Sequence, residues 1–333
     1  MKILITGGCG FIGSNLAIFL KNKIKNVKIS SIDNLSRKGS TLNYKRLYKK
    51  KIKNFKIDIS NSNKLSRFPK FDLIIHCAAE PAIEVSRKKI DEVFNSNLIG
   101  TFNVLKKCAK DNSSIIYLSS SRVYAMENLF KLKKKKGSVK ESFNVDNTKS
   151  IYGFTKLSSE LLIKEYSYLY KIKYIINRVA LVSGPWQFGK EEQGFVSLWV
   201  WRHLNHLRLN YIGFGGTGRQ VRDVLHVDDL CELILTQIRK FKKINNKLVN
   251  VGGGKKNSLN LIQLSGLVSK ITKKKIKIGS IKKTSPYDVP YFITNTNYVR
   301  TLYKWRPKKN LQKVISDLYF WMKPNISTLR KYF

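Results

Sequence analysis

Short apolar runs recur through the first half of the chain, at residues 2–5, 27–32, 55–57, 73–76, 115–118 and 174–178. Amphipathic stretches at 14–23, 91–110 and 157–170 separate them. Runs that are apolar on consecutive positions read as strands covered on both faces. Alternating with helices of this length, they build βαβ units around a parallel sheet. Beyond Val182 the rhythm breaks: 186–194 and 213–218 read as loops, while 195–205, 228–240 and 311–322 read as helices. Residues 127–148, rich in Lys, Asn and Ser, read as a mobile loop near the chemistry. The expected fold class is α/β, a doubly wound parallel sheet with a smaller C-terminal α/β domain that shares its sheet edge.

The chain has 333 residues, 42% of them hydrophobic, enough for one large core or two smaller ones and too apolar for disorder. No run approaches the ~18–20 apolar residues that span a bilayer. Met1-Lys2 leads directly into an apolar strand, so no leader is expected and the fold is expected to begin at residue 1. Cys9, Cys77, Cys108 and Cys231 stand far apart with no Cys-x-x-Cys pair. They read as free thiols in a reducing cytoplasm, with no metal site.

The charge is less ordinary: 64 basic residues against 21 acidic, a net +43. That magnitude points to nucleic acid or a membrane surface. Yet 50 of the 64 are Lys and only 14 are Arg, scattered along the whole chain, with abundant Ile and Asn, as an AT-rich coding composition produces. Nucleic-acid readers favour the planar fork of Arg. The charge is therefore read as compositional drift, without a nucleic-acid partner, and its secondary consequence is electrostatic attraction for an anionic small substrate.

Gly7, Gly10 and Gly13 fall in a G-x-x-G-x-x-G pattern between the first strand and the first helix. Glycine lets backbone approach a pyrophosphate, and the following helix N-terminus offers free N–H groups and a positive dipole end. About 20 residues on, an acidic residue is expected to bind the adenosine ribose, and Asp33 stands there. A carboxylate accepts ribose hydroxyls and repels a 2′-phosphate, which favours NAD over NADP; Arg37 and Lys38 pull the other way. Asp58-Ile59, after the third strand, is placed to reach the adenine. This pattern predicts a Rossmann-type cofactor domain.

Tyr152 and Lys156 lie four apart on one helix face. A phenol has a pKa near 10 and is a poor base at neutral pH. An ammonium one turn away stabilises the phenolate and brings that pKa down. Ser119, Ser120 and Ser121 end the strand before it, where the sites of doubly wound sheets lie.

These elements resemble the extended short-chain dehydrogenase/reductases, the nucleotide-sugar epimerase and dehydratase group. The matching stretches are the glycine loop, His76-Cys77-Ala78-Ala79, Asn97-Leu98-Ile99-Gly100-Thr101, the serine cluster with Val123-Tyr124, Tyr152/Lys156 and 220–229. Residues 33–39, Gln187-Phe188, Gln193-Gly194 and 218–226 resemble the branch that acts at C2 of CDP-linked dideoxysugars. The resemblance implies tightly held NAD, catalysis by Ser120, Tyr152 and Lys156, and a homodimer that buries part of the face of Leu157, Leu161 and Leu162. It implies cofactor contacts from Gly7, Gly10, Phe11, Ile12, Gly13, Asp33, Asn34, Arg37, Asp58, Ile59, Ala78, Ala79, Asn97 and Val179 besides the Tyr/Lys pair. Glu80, Ser121, Gln187, Gln193, Gly215, Arg222 and Asp288 would contact the nucleotide-sugar substrate.

Three departures stand out. The dehydratases carry Asp-Glu after the catalytic hydroxyl residue, where this chain has Ser121-Arg122, which argues against water loss. The Arg-x-x-Asn after the sixth strand is here Arg178-Val179-Ala180-Leu181, and Asp288 lacks an arginine three residues before it. The resemblance implies an NAD-binding domain over 1–181 with 219–252 returning to it, and a substrate domain over 182–218 and 253–333. The expected reaction is epimerisation of a nucleotide sugar through a keto intermediate, at C2 of a CDP-dideoxysugar. A one-way nucleotide-sugar dehydrogenase/reductase, or a 4-epimerase, of the same fold is the alternative. A non-catalytic RNA-binding or redox-sensing scaffold, suggested by the charge, would have no need of the proton relay.

Overall fold

The computed structural model describes residues 1–81, 89–190 and 193–333, so residues 191 and 192 of the loop expected at 186–194 lie outside the described residues. The chain forms two compact units. Met1–Val123, Ser150–Val179 and Cys231–Val249 make the first; Tyr124–Lys149, Ala180–Leu230 and Asn250–Phe333 make the second. The segment 219–252, expected to return to the first unit, is divided: 219–230 and 250–252 belong to the second.

The first unit holds a seven-stranded sheet. Its strands are β1 (Lys2–Thr6), β2 (Lys28–Ile32), β3 (Lys53–Phe55), β4 (Leu73–His76), β5 (Ser114–Ser120), β6 (Tyr174–Val179) and β7 (Lys247–Val251), in the order β7-β6-β5-β4-β1-β2-β3. Ladders β1–β2, β1–β4, β2–β3, β4–β5 and β5–β6 are parallel. Burial on consecutive residues explains the apolar runs: Ile3, Leu4 and Ile5 are fully buried, as are Ile74, Ile75, Ile115 and Ile116. Helices α1 (Phe11–Lys23), α2 (Ser40–Lys49), α3 (Gly100–Asp111) and α4 (Ile151–Tyr170) flank it. Val104, Leu105 and Cys108 of α3 and Ile163 of α4 join Leu4, Ile74, Ile115, Tyr117 and Ile176 in one core. The second unit carries sheets of its own. Val221–His226 pairs with Leu181–Ser183, Ser258–Asn260 and Tyr291–Phe292, and Leu209–Ile212 pairs with Ile278–Ile281.

Three expectations are corrected. The third strand ends at Phe55, because the Ile57 N–H folds back on the Phe55 carbonyl at 2.9 Å. The helix expected over 91–110 is interrupted: Ile90–Val93 is α-helical, Phe94–Ile99 is a π-turn, and α3 follows. There the Gly100 N–H bonds the carbonyl of Asn95, five residues back. The lysine-rich segment expected as a loop contains the helix Met126–Lys135, which buries Leu129 and sets Phe130 against Phe214 at 6.3 Å. Three of its four lysines, Lys133, Lys134 and Lys135, fall in the last turn, where cations complement the helix dipole.

Candidate active site

β1 lies between β2 and β4, so the order of winding reverses there and a crevice opens at the C-terminal ends of β1 and β4. The glycine loop sits at its mouth. Gly7 takes a φ of +66°, and a Cβ on it would meet the Ala78 backbone at 2.7 Å. Gly10 differs: a Cβ there would meet only the Gly7 carbonyl oxygen, at 3.1 Å. Apart from that one tight contact the chain leaves the space beside Gly10 open, which suits the close approach of a ligand. Gly10 is also the N-cap of α1, whose first turn has neither a side-chain cap nor an acidic residue. These features fit the pyrophosphate of a dinucleotide.

Asp33 ends β2 and accepts from the backbone N–H groups of Cys9 at 2.9 Å and Leu35 at 2.8 Å. Burial pushes its carboxyl above the usual range, and these N–H donors partly offset the rise. Asn34 donates to Asp58 at 2.7 Å, tying the ends of β2 and β3 together. Ile59 is buried, and Val179 faces Ser120 in register on β6.

Helix α4 begins at Ile151, so it carries Tyr152 and Lys156 on one helix as expected, and Ser150 caps it by accepting the Gly153 N–H at 3.1 Å. Tyr152 and Lys156 thus occupy its first two turns, both buried. Burial raises the Tyr152 phenol above its ordinary value, opposed by a hydrogen bond with Ser120 and by the Arg122 guanidinium. Ser120 in turn accepts the Arg122 N–H at 3.2 Å. Ser121 opens the short turn Ser121–Val123 that carries Arg122. The Lys156 ammonium lies 4.2 Å from the centre of the Tyr117 ring and makes no hydrogen bond among the described residues. Burial brings it down to about 7, against the opposing pull of Cys77 and Glu160. A desolvated ammonium without an oxygen partner fits a ribose diol.

Behind this pair, Glu160 is 1% exposed and is held by Arg178 at 2.7 Å and by the Ser119 hydroxyl at 2.5 Å. His76 is fully buried between the Thr6 and Thr101 hydroxyls, at 2.6 and 3.0 Å, and burial brings it down to about 3. Arg37 and Glu80 meet in an ion pair of 2.6 Å. Asn97, in the π-turn, accepts the Glu80 N–H at 2.8 Å and donates to the Glu80 carbonyl and the Thr155 hydroxyl, both at 3.2 Å. Its amide is thereby committed to positioning.

The family model for the NAD dependent epimerase/dehydratase family matches residues 3–252. The chain belongs to that family. It is 30% identical to CDP-paratose 2-epimerase of Salmonella typhi, over 96% of this chain and 99% of that one. UDP-glucose 4-epimerase of Thermotoga maritima, solved with UDP-glucose, superposes with a TM-score of 0.83 at 25% identity, covering 98% of this chain and all of its own. UDP-glucuronic acid 4-epimerase of Bacillus cereus, solved with UDP-glucuronic acid and NAD, gives 0.83 at 25% identity, covering 97% and 99%.

This epimerase/dehydratase chain holds the other candidate residues in its second unit. Arg222 donates to Asp288 at 3.3 Å and to its own Val221 carbonyl at 2.8 Å, so the two candidate substrate residues are each other's partners. Gln187 commits its amide to Ser183 at 2.7 Å and Val182 at 2.9 Å. Gln193 closes a turn with Lys190. Gly215 has a φ of +73°, with Thr217 3.7 Å from where a Cβ would lie. Sequence reasoning missed Arg122 as a neighbour of the phenol, and the Glu160–Arg178 pair. The signal for Glu160 was present: 152, 156 and 160 share one helix face. Among the described residues no helix is long and apolar enough to cross a membrane, and no cluster of ligands could hold a metal ion.

Proposed function

We propose that this enzyme epimerises a nucleotide-activated sugar by oxidising one carbinol carbon to a ketone and reducing it from the other face, at C2 of a CDP-linked dideoxysugar. The observation that carries the redox reading is the buried Tyr152 beside Ser120 and Arg122, one helical turn from a buried Lys156. The C2 position and the CDP group rest on the likeness to CDP-paratose 2-epimerase along nearly the whole chain.

Gly7, Gly10 and the first turn of α1 would hold the pyrophosphate, Asp33 the adenosine ribose, Asn34, Asp58 and Ile59 the adenine end, and Lys156 the nicotinamide ribose. When bound, NAD would supply the hydride acceptor and donor for the carbinol carbon. Tyr152 accepts the hydroxyl proton at its phenol oxygen and gives it back after the sugar has turned. Ser120 holds the reacting oxygen, and the Arg122 charge stabilises the phenolate. The absence of carboxylates at Ser121 and Arg122 supports epimerisation over dehydration. Ser121, Gln187, Gln193, Gly215, Arg222 and Asp288 are proposed for the substrate, whereas the carboxylate of Glu80, expected there, is engaged by Arg37 at 2.6 Å.

We also propose a homodimer. On α4 Phe154 is 45% and Leu161 54% exposed, while Leu162, expected on the same face, packs against the protomer's own core; Ile99 of the π-turn and Phe102 of α3 are also exposed. An apolar face of this kind suits the helix pairing of a second copy. Mass spectrometry of ligands that co-purify with the protein tests the reading. NAD with a CDP-sugar supports it, a UDP-sugar moves the assignment to the 4-epimerases, and NADP alone overturns it.

A further inference from the structure

We propose that Glu80 is a cofactor-specificity residue that acts through Arg37. Arg37 follows β2 on one side of the crevice, Glu80 follows β4 on the other, and their side chains meet across it at 2.6 Å. The inference rests on the placing of NAD proposed above.

A guanidinium four residues beyond the ribose-binding carboxylate is the group that takes a 2′-phosphate, because its planar fork matches phosphate oxygens bidentately. Here that fork is turned to Glu80. The two side chains are 33% and 17% exposed, so water screens the pair incompletely. A 2′-phosphate entering the site would displace Glu80 or meet its negative charge beside that of Asp33. Glu80 is itself fixed in place: Asn97 bonds both its backbone N–H and its carbonyl. These bonds fix the backbone from which the carboxylate reaches across to Arg37. Lys38 next door is exposed, and a hydrated point charge competes poorly for the same phosphate. Specificity for the unphosphorylated ribose thus comes from two carboxylates: Asp33 directly, and Glu80 by withholding Arg37.

The test reads binding rather than turnover, since Glu80 also acts electrostatically on Tyr152. The purified holoprotein is equilibrated with an equimolar mixture of NADH and NADPH, desalted, and its bound cofactors are quantified by mass spectrometry. Glu80→Gln keeps the shape and removes the charge. It should shift the bound ratio toward NADPH by about tenfold, the equivalent of one charge-assisted hydrogen bond gained at a partly exposed site. Arg37→Ala alone should give no such gain, and Arg37→Ala combined with Glu80→Gln should return the ratio to that of the parent. Should Glu80→Gln fail to fold, Glu80→Ala makes the same prediction. A parent-like ratio in the Glu80 variant, or a gain that survives in the double variant, overturns the proposal while NAD binding stands. A parent that binds neither cofactor overturns the placing of NAD itself.

Discussion

Replacing Lys156 by Met should stabilise the cofactor-stripped protein while abolishing its response to NAD. The stem of Lys156 is packed, its ammonium is desolvated over the Tyr117 ring, and burial brings it down to about 7 from 10.5. Unfolded, a lysine keeps its proton to about pH 10.4. The folded chain therefore holds fewer protons than the unfolded one between pH 7 and 10.5, and stability rises with pH across that window. The penalty is complete below it. A shift of that size corresponds to ~5 kcal/mol at full protonation, and relaxation of the surroundings leaves about 2–4 kcal/mol as the net gain for Met. Met fills the stem's volume without the charge. Urea unfolding of parent and variant at pH 6.5, 8 and 10 measures the difference. The advantage of Lys156→Met should be largest at pH 6.5 and shrink toward pH 10, and added NAD should raise the stability of the parent alone. A variant that is less stable at pH 6.5, or an advantage independent of pH, refutes the burial argument.

Tyr152→Phe keeps the ring and removes the proton acceptor; turnover should fall by the ~10²–10⁴-fold of a lost general base while bound NAD is retained, measured by steady-state kinetics and cofactor content. Gly10→Ala should cost under ~1 kcal/mol of stability yet block NAD binding, because its Cβ would enter the cofactor's space rather than the protein's. Gly13→Ala should destabilise the chain itself, since its Cβ would lie 2.2 Å from the Gly7 carbonyl; thermal melts without cofactor separate the two. His76 is held near 3 against 6.5 unfolded, so its contribution is lost as pH falls through that interval. His76→Gln should lose about 2 kcal/mol less than the parent between pH 7 and 4.5, seen by urea titration at both values.

Much of the first unit can be read from the sequence because its signals are local. Buried parallel strands announce themselves as apolar runs, and the interval 73–76 matches β4 to the residue. The glycine loop, Asp33 and the Tyr152/Lys156 pair follow from spacing along the chain. What escaped reading depends on partners distant in sequence. The Arg37–Glu80 pair joins residues 43 apart, and the Arg178–Glu160 pair joins residues 18 apart. The π-turn at Phe94–Ile99 has no composition of its own: it is one inserted hydrogen-bond register, held by the Asn97 carbonyl accepting the Thr101 and Ser159 hydroxyls. The helix Met126–Lys135 was masked by its lysines, although Leu129 and Phe130 already supply an apolar face. The role of Arg122 was hidden because the sequence argument used that position only for what it lacks, a carboxylate.

One experiment tests the central claim most directly. The NAD-loaded protein is given a CDP-linked 3,6-dideoxysugar deuterated at C2, without added cofactor, and the product is followed by NMR and mass spectrometry. Hydride transfer and return predict a sugar inverted at C2 that keeps its deuterium, with no net redox change. Inversion with the label washed out into solvent would mean proton abstraction at carbon in place of hydride transfer, and would contradict the roles given to Tyr152 and the cofactor.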